Sequence, residues 1–543
     1  MTTPTQVMQG FDWKSGYASR RSPLFARNVV ATSHPLAAQA GLRMLASGGN
    51  AVDAAVAAAA CMTVLEPCSN GLGSDAFAIV WDGQRLQGLD AAGVAPAAWT
   101  RAQFGDAAKA PPKRGWSSVT VPGAVSSWVA LSERYGKLPF GDLMQPAIEI
   151  AERGYAVPVI VQRKWQLAAG IGELVGQPGF AETFLPHGRS PAVGERFCMP
   201  GAARSLKLIA ETRGEAFYRG EIAAALAAFS KATGGQLTAA DLAAHQPQWV
   251  DTISQAYAGH QLHELPPSGQ GIAALIALGL LKHHDLRGLG ADSVVAQHLQ
   301  IEAMKLAFAD TYRFVADPLA MELTAAELLD PAYLAERASL IDPRKAQDFG
   351  HGNPVRGGTI YLSAADESGM MVSFIQSNFM GFGSGLVLPG YGVSLQNRGH
   401  GFSLDPAHPN CVAPGKKPFH TIIPAMLMRD GQAQMSFGVM GGHMQPQGHL
   451  QTLVRMLDFH QHPQAACDAP RWRFNEGLSI DVEPEMPAAT VQGLRALGHQ
   501  IGDMHEPSLD LGAGQFIWRL GEPAVEGYVA ASDPRRDGAA VGF

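Results

Sequence analysis

Two glycines stand directly before a threonine in the run RGGTIYLSAAD, Arg356 to Asp366, and the threonine opens an alternating, strand-like segment. A threonine hydroxyl is a weak nucleophile near neutral pH unless a base lies beside it. Making the threonine N-terminal supplies that base, because an α-amine titrates at about 8 and can take the hydroxyl proton directly or through water. The peptide bond before Thr359 must then be cut. Gly358 suits the cut, since without a Cβ it admits the close approach and unusual backbone angles that attack of the Thr359 hydroxyl on the preceding carbonyl requires. The same string also reads as a turn feeding a strand, so the residues permit an N-to-O acyl shift without requiring one.

Acyl transfer through a threonine needs donors for the oxyanion. The run GVMGGHMQPQGH offers consecutive backbone N–H groups at Gly441 and Gly442 between a strand-like and a helix-like segment, although it also reads as a plain connection. Ser377, in the next strand-like run, is placed to hydrogen-bond to Thr359, or is an ordinary strand serine. The pairs His443/His449 and His460/His462 lack an HExxH arrangement, and the five cysteines form no CxxC pair. Neither a metal nor a cofactor is expected.

The elements that must position these groups follow from periodicity. Between Pro35 and Leu65 two helical runs break at Ser47-Gly48-Gly49-Asn50, where Gly ends one helix and Asn50 caps the next. Two apolar runs around Asp82-Gly83 predict a hairpin from Asp75 to Leu89. From about Leu131 to Ala346 the pattern is mostly helical, interrupted by the loop-like HELPPSGQG, His263 to Gly271. After Thr359 the character turns to short strands (TIYLSAA, MMVSFIQS, GVSLQN, TIIPAMLM, QMSFGVM), with helices predicted over about Gln447 to Phe459 and in ATVQGLRALG. Helix blocks and antiparallel hairpins together predict helix layers on sheet layers.

Bulk properties exclude several function classes. The chain has 543 residues, 46% of them apolar, and 41 Lys plus Arg against 48 Asp plus Glu. The resulting charge of −7 provides no general attraction for nucleic acid. The most apolar run, AVDAAVAAAACMTVL, is short and carries Asp53, so it predicts a buried helix rather than a membrane span. The N-terminus lacks a basic start followed by a continuous apolar stretch, so the expectation is a cytoplasmic protein.

Taken together and in order, the strings ATSHPLAAQAGLRMLASGGNAVDAAVA, EPCSNGLGSDAF, VPGAVSSW, YGKLPFGDLMQPAIEIAERGYAV, LPPSGQG, EAMKLAFADTYRFVADP, the Thr359 segment, FGSG, LQN, PFHTIIP, VMGG and ASDPR resemble the γ-glutamyltransferase family of N-terminal-nucleophile hydrolases. The resemblance implies an α+β fold, a four-layer αββα sandwich. It implies a precursor cleaved between Gly358 and Thr359 into a large subunit, 1–358, and a small subunit, 359–543, which stay together as one compact unit. Thr359 would be both processing and catalytic nucleophile, Gly441 and Gly442 the oxyanion hole, and Ser377 its hydrogen-bonding neighbour. Asn397 matches an asparagine near the acyl pocket, and His420 and Thr421 stand where the family commonly has a serine pair near the substrate. The partners implied are a small-molecule amide, water or an amine acceptor, and the sibling subunit, with a homodimer of processed units as a further expectation.

Two departures bear on the substrate. The family arginine that holds an α-carboxylate is replaced by Ala92, and the acid that holds the α-amine by Gly401. A charge-assisted arginine–carboxylate contact is worth roughly 1.5–3 kcal/mol, so a γ-glutamyl group loses about tenfold to a hundredfold in binding. Arg398 becomes the candidate to take a carboxylate from another direction, a pattern similar to the cephalosporin-acylase-like and oxamate-amidohydrolase-like subgroup. The expected activity is γ-glutamyl transfer or hydrolysis through an acyl-threonine. The alternative is hydrolysis of dicarboxylic monoamides, and the non-enzymatic alternative is an unprocessed, inert scaffold.

Overall fold

The computed structural model describes Trp13 and residues 21–105, 108–349, 358–502, 504, 506, 509 and 511–543. Arg356 and Gly357 of the opening motif lie outside the described residues, as does nearly all of the N-terminal stretch read for a signal.

The helix pair forms as its caps dictate, over Pro35–Ala46 and Ala51–Leu65. Asn50 Oδ1 accepts from the Val52 and Asp53 amides at 3.0 Å, and Asp53 Oδ2 accepts from the Asn50 amide at 2.9 Å, a reciprocal capping box. Every residue of the second helix is buried. Its alanines leave room for elements to approach it on all sides, which explains an apolar run without an amphipathic stripe.

Two seven-stranded antiparallel sheets organise the chain. One runs, edge to edge, through Ala539–Gly542, Val29–Thr32, Gly358–Ala365, Met371–Phe379, Asp75–Trp81, Leu86–Asp90 and Gln248–Val250. The other runs through Leu24–Ala26, Tyr528–Ser532, Ala513–Arg519, Gln432–Met440, Ala425–Arg429, His260–Glu264 and Ile253–Tyr257. Strand alternation sorts the side chains. In the first sheet Ala76, Ala78, Val80, Ile360, Leu362 and Phe374 pack with the Ala51–Leu65 helix, while Phe77, Ile79, Trp81, Tyr361, Met371 and Ile375 face a core shared with Met426, Met428, Met440 and Ile517 of the second. The alternate residues Leu427, Phe437, Val439 and Phe516 pack instead with the helices Gly271–Leu281, Val294–Phe314 and Met444–Leu457.

The sequence pattern is corrected in the middle of the chain. The stretch from Leu131 to Ala346 contains the strands Gln248–Val250, Ile253–Tyr257 and His260–Glu264, so His263 and Glu264 belong to a strand rather than to the loop. These short strands, flanked by helices, were hidden because their apolar residues are interleaved with Gln and His. After Thr359, the strand in TIIPAMLM begins only at Ala425, and GVSLQN forms two residues of strand, Val393–Ser394. The Asp82-Gly83 hairpin forms as read, between Asp75–Trp81 and Leu86–Asp90. Among the described residues no helix is long and apolar enough to cross a membrane.

Candidate active site

Thr359 is the second residue of the strand Gly358–Ala365, beside an irregularity in its pairing with Met371–Phe379, where Gly358 opposes Phe379 and Ile360 opposes Gln376. This pairing brings Ser377 alongside: its Oγ lies 3.3 Å from Thr359 Oγ1 and also accepts from the Phe379 amide at 2.8 Å. Gln445, in the first turn of the helix Met444–Leu457, directs Nε2 to Thr359 Oγ1 at 3.4 Å, while its Oε1 accepts from the Ile423 amide at 2.9 Å. Both contacts to the hydroxyl are long, as catalytic hydrogen bonds often are before substrate binds. Both partners are neutral, and neither a hydroxyl nor a carboxamide takes a proton at neutral pH. Thr359 is only 2% exposed, yet with Gly441 it lines a cavity of about 250 Å³ that Arg114, Lys164 and Arg536 also border.

Gly441 and Gly442 form the turn between the strand Gln432–Met440 and that helix, with φ of 128° and 62°. Side-chain-bearing residues rarely adopt such angles, and a Cβ at Gly441 would stand 3.0 Å from Gly512 Cα, so glycine is required here. Neither glycine amide donates to another described residue. The helix N-terminus behind them adds partial positive charge. Below the turn, His449 Nε2 accepts from the Val439 amide at 3.2 Å, which leaves Nδ1–H to donate to Glu264 at 2.7 Å. Burial pushes the His449 pKa down to about 3, so the imidazole is neutral and clamps strand to helix.

Three further sequence candidates, Arg398, His420 and Thr421, lie close together. Arg398 is fully buried; its Nη1 donates to Thr421 Oγ1 at 2.7 Å and its guanidinium lies 4.3 Å from the Phe379 ring centre. Its Nε and Nη2 have no hydrogen-bond partner among the described residues. Burial pulls the Arg398 pKa down to about 9, against the opposing field of Asp75. His420 Nε2 lies 3.2 Å from Asp75 Oδ2, and His420 Nδ1 has no partner among the described residues. Gln270 Nε2 ties this group to the oxyanion turn, donating to the carbonyls of Thr421 at 2.6 Å and Gly442 at 2.8 Å. Phe379 and Thr421 also wall a larger cavity, about 610 Å³, with Gly401, Tyr312, Phe419 and His443.

Asn397 is used differently: Oδ1 accepts from the Met380 amide at 3.0 Å and Nδ2 donates to the Lys113 carbonyl at 2.8 Å, so it fixes the turn that walls the Thr359 cavity. Ala92 sits in the core between the sheets, and Gly401 has no room for the expected acid, since a Cβ there would meet the Phe419 carbonyl at 2.8 Å. Sequence reasoning missed Gln445, Gln270, Phe379 and Asp75. An aspartate heading the wholly buried strand DAFAIVW was the available signal for Asp75, because a carboxyl there must answer to something internal. Elsewhere, His298, Glu302 and His499 hold ligand-type atoms within 4.8 Å of one another, but the Lys305 ammonium donates to Glu302 at 2.7 Å and already supplies the positive charge.

The model of the family described as gamma-glutamyltranspeptidase matches residues 37–543. The chain is 34% identical to the glutathione hydrolase-like YwrD proenzyme of Bacillus subtilis (strain 168), covering 96% of this chain and 100% of that one. It is 35% identical to the oxamate amidohydrolase proenzyme of Klebsiella pneumoniae subsp. pneumoniae, covering 96% and 99%. The crystal structure of cephalosporin acylase from Bacillus halodurans superposes with a TM-score of 0.93 at 45% identity, covering 98% of this chain and 99% of that one. The chain belongs to the gamma-glutamyltranspeptidase family and is an amide hydrolase of the N-terminal-nucleophile kind.

Proposed function

We propose that the protein is made as a precursor, cut between Gly358 and Thr359, and that it hydrolyses amides whose acyl group ends in a carboxylate and lacks an α-amine. Thr359 attacks the amide carbonyl, its α-amine takes and returns the proton, and the Gly441 and Gly442 amides receive the oxyanion. Ser377 and Gln445 orient the hydroxyl; water then resolves the acyl-threonine ester. The need for a freed α-amine is supported by the absence of a base among the described partners of Thr359 Oγ1, Ser377 and Gln445. We read the two sheets with their outer helices as the four-layer αββα sandwich. Subunits 1–358 and 359–543 would remain associated, because strand Gly358–Ala365 lies between Val29–Thr32 of one and Met371–Phe379 of the other.

The observation that carries the substrate class is Arg398: a fully buried guanidinium with two unfilled donors, in a site where Ala92 and Gly401 replace both partners of an amino-acid zwitterion. Glutaryl- and oxamate-type monoamides fit this reading better than γ-glutamyl compounds. The names of relatives include both glutathione hydrolase-like and oxamate amidohydrolase proenzymes. Two measurements test the proposal. Intact mass should show two chains, one ending at Gly358 and one beginning at Thr359, and Thr359→Ala should yield one chain without turnover. A glutaryl anilide should exceed the γ-glutamyl anilide in kcat/KM by about tenfold or more; parity, or turnover by an uncut chain, overturns it.

A further inference from the structure

The strand bearing Asp75 lies beside the strand bearing Ser377, and the two residues are register partners. Both have the parity of Phe77, Ile79 and Ile375, which face the space between the sheets, so the Asp75 carboxyl belongs to the same interior as the nucleophile's neighbour. The carboxyl does not contact the Arg398 guanidinium directly; it meets His420 Nε2 at 3.2 Å. Three buried atoms of this cluster, Arg398 Nε, Arg398 Nη2 and His420 Nδ1, have no hydrogen-bond partner among the described residues.

The hydrogen-bond roles in this cluster depend on one proton. When Asp75 is ionised, it must accept from His420 Nε2–H, and His420 Nδ1 is then a bare lone pair facing no donor. When Asp75 is protonated, its O–H donates to Nε2, and neutral His420 carries its hydrogen on Nδ1, where it becomes a donor. Only the second state offers an incoming anion three unfilled donor nitrogens and no competing negative charge.

Resting on the substrate reading above, we propose that Asp75 is a specificity-setting positioning residue: docking of the substrate's acyl carboxylate at Arg398 is coupled to uptake of one proton by the Asp75–His420 pair. The bookkeeping balances without a co-reactant, since one proton leaves solvent for Asp75 as one carboxylate enters. Four charged or titratable groups bear on Asp75 from the elements around it. Arg398 favours its ionised form, Asp90 its protonated form, and His420 and Tyr218 stay neutral, while the Gly93 and Gly123 amides favour the anion. Burial outweighs these and raises Asp75 to about 7, within the range in which such a coupling is visible. His420 is held neutral by burial and by Arg398.

The sign follows from linkage. A ligand that binds the protonated form binds with constant affinity below the free-state pKa and loses about tenfold per pH unit above it. For the processed enzyme acting on a glutaryl anilide, KM should rise by less than about twofold from pH 6 to 7 and towards tenfold between pH 7.5 and 8.5. A butyryl anilide, which lacks the carboxylate, should show no such rise. Asp75→Asn keeps a donor towards His420 Nε2 at every pH, so its KM for the glutaryl anilide should stay flat to pH 8.5. Calorimetry with glutarate at pH 7.5, in two buffers of different ionisation enthalpy, should report uptake of about one proton per site. A wild-type KM that does not rise, a variant that tracks wild type, or zero proton uptake overturns the coupling even if glutaryl selectivity holds. Loss of glutaryl selectivity at pH 6.5 overturns the substrate reading first, and the coupling with it.

Discussion

Two buried charge clusters in this molecule have opposite electrostatic outcomes. In the first, Asp533 Oδ2 accepts from Arg471 Nη2 at 2.7 Å and the Gly514 amide at 2.8 Å, and its Oδ1 from the Arg535 amide at 2.9 Å and Arg535 Nη1 at 3.1 Å. Arg535 also forks onto Glu483 at 2.6 and 2.5 Å and donates to the Cys467 and Ala469 carbonyls. Apart from Arg471 Nε, these groups are filled. Burial pushes Asp533 up, but Arg471, Arg535 and the two amides more than offset it and hold the carboxyl at about 2. In the second cluster, burial wins: Asp75 rises to about 7 and Arg398 falls to about 9. A saturated network fixes a fold, whereas one with unfilled, aligned donors has a place for something else.

Arg535→Met strips both Glu483 and Asp533 of their main partner in a dry interior and should cost about 3–5 kcal/mol in denaturant unfolding, while kcat/KM of the surviving folded enzyme stays within about twofold of wild type. A large activity loss at full stability would mean that this cluster is not merely structural.

Arg398→Met should do the reverse. Asp75 already sits near neutrality, so it can take a proton and no stranded charge remains; stability should change by under about 1 kcal/mol. Activity on a glutaryl anilide should fall about tenfold to a hundredfold, the worth of roughly 1.5–3 kcal/mol for a charge-assisted contact, with a butyryl anilide much less affected. Equal losses on both compounds would remove Arg398 from substrate recognition.

The smallest effect sharpens the contrast through acid. Asp533 has a folded pKa below its ordinary value of 3.8, so its stabilisation is present above about pH 4 and is lost as pH falls towards 2. That amounts to about 2 kcal/mol. An Asp533→Asn variant should therefore show a shallower loss of unfolding free energy between pH 4 and 2.5 than wild type. Parallel slopes would show that another acid governs that limb.

Legibility in the sequence followed the range of the interactions. The helix pair and its Asn50 cap, the Asp82-Gly83 hairpin and the strand after Thr359 are set by neighbours a few residues apart, so pattern alone revealed them. The strands between Gln248 and Glu264 escaped, because short polar-laced segments take their conformation from the sheet edge they join. Within the site, Thr359, Ser377, Gly441 and Gly442 were legible as residue types with a stated chemistry. Gln445 and Gln270 were not, since a glutamine carries no signal until its partner is known.

Residue types and their order were enough to single out candidate groups: a hydroxyl behind glycine, a glycine pair free to turn, and an arginine directly after Asn397. Folding alone brings Asp75, distant in the chain from Arg398 and His420, to 3.2 Å from His420 Nε2, and leaves Arg398 Nε and Nη2 without a partner among the described residues. Periodicity and propensity report local backbone preference, whereas the charge state of a buried carboxyl depends on solvent exclusion and on fields from segments brought together by folding.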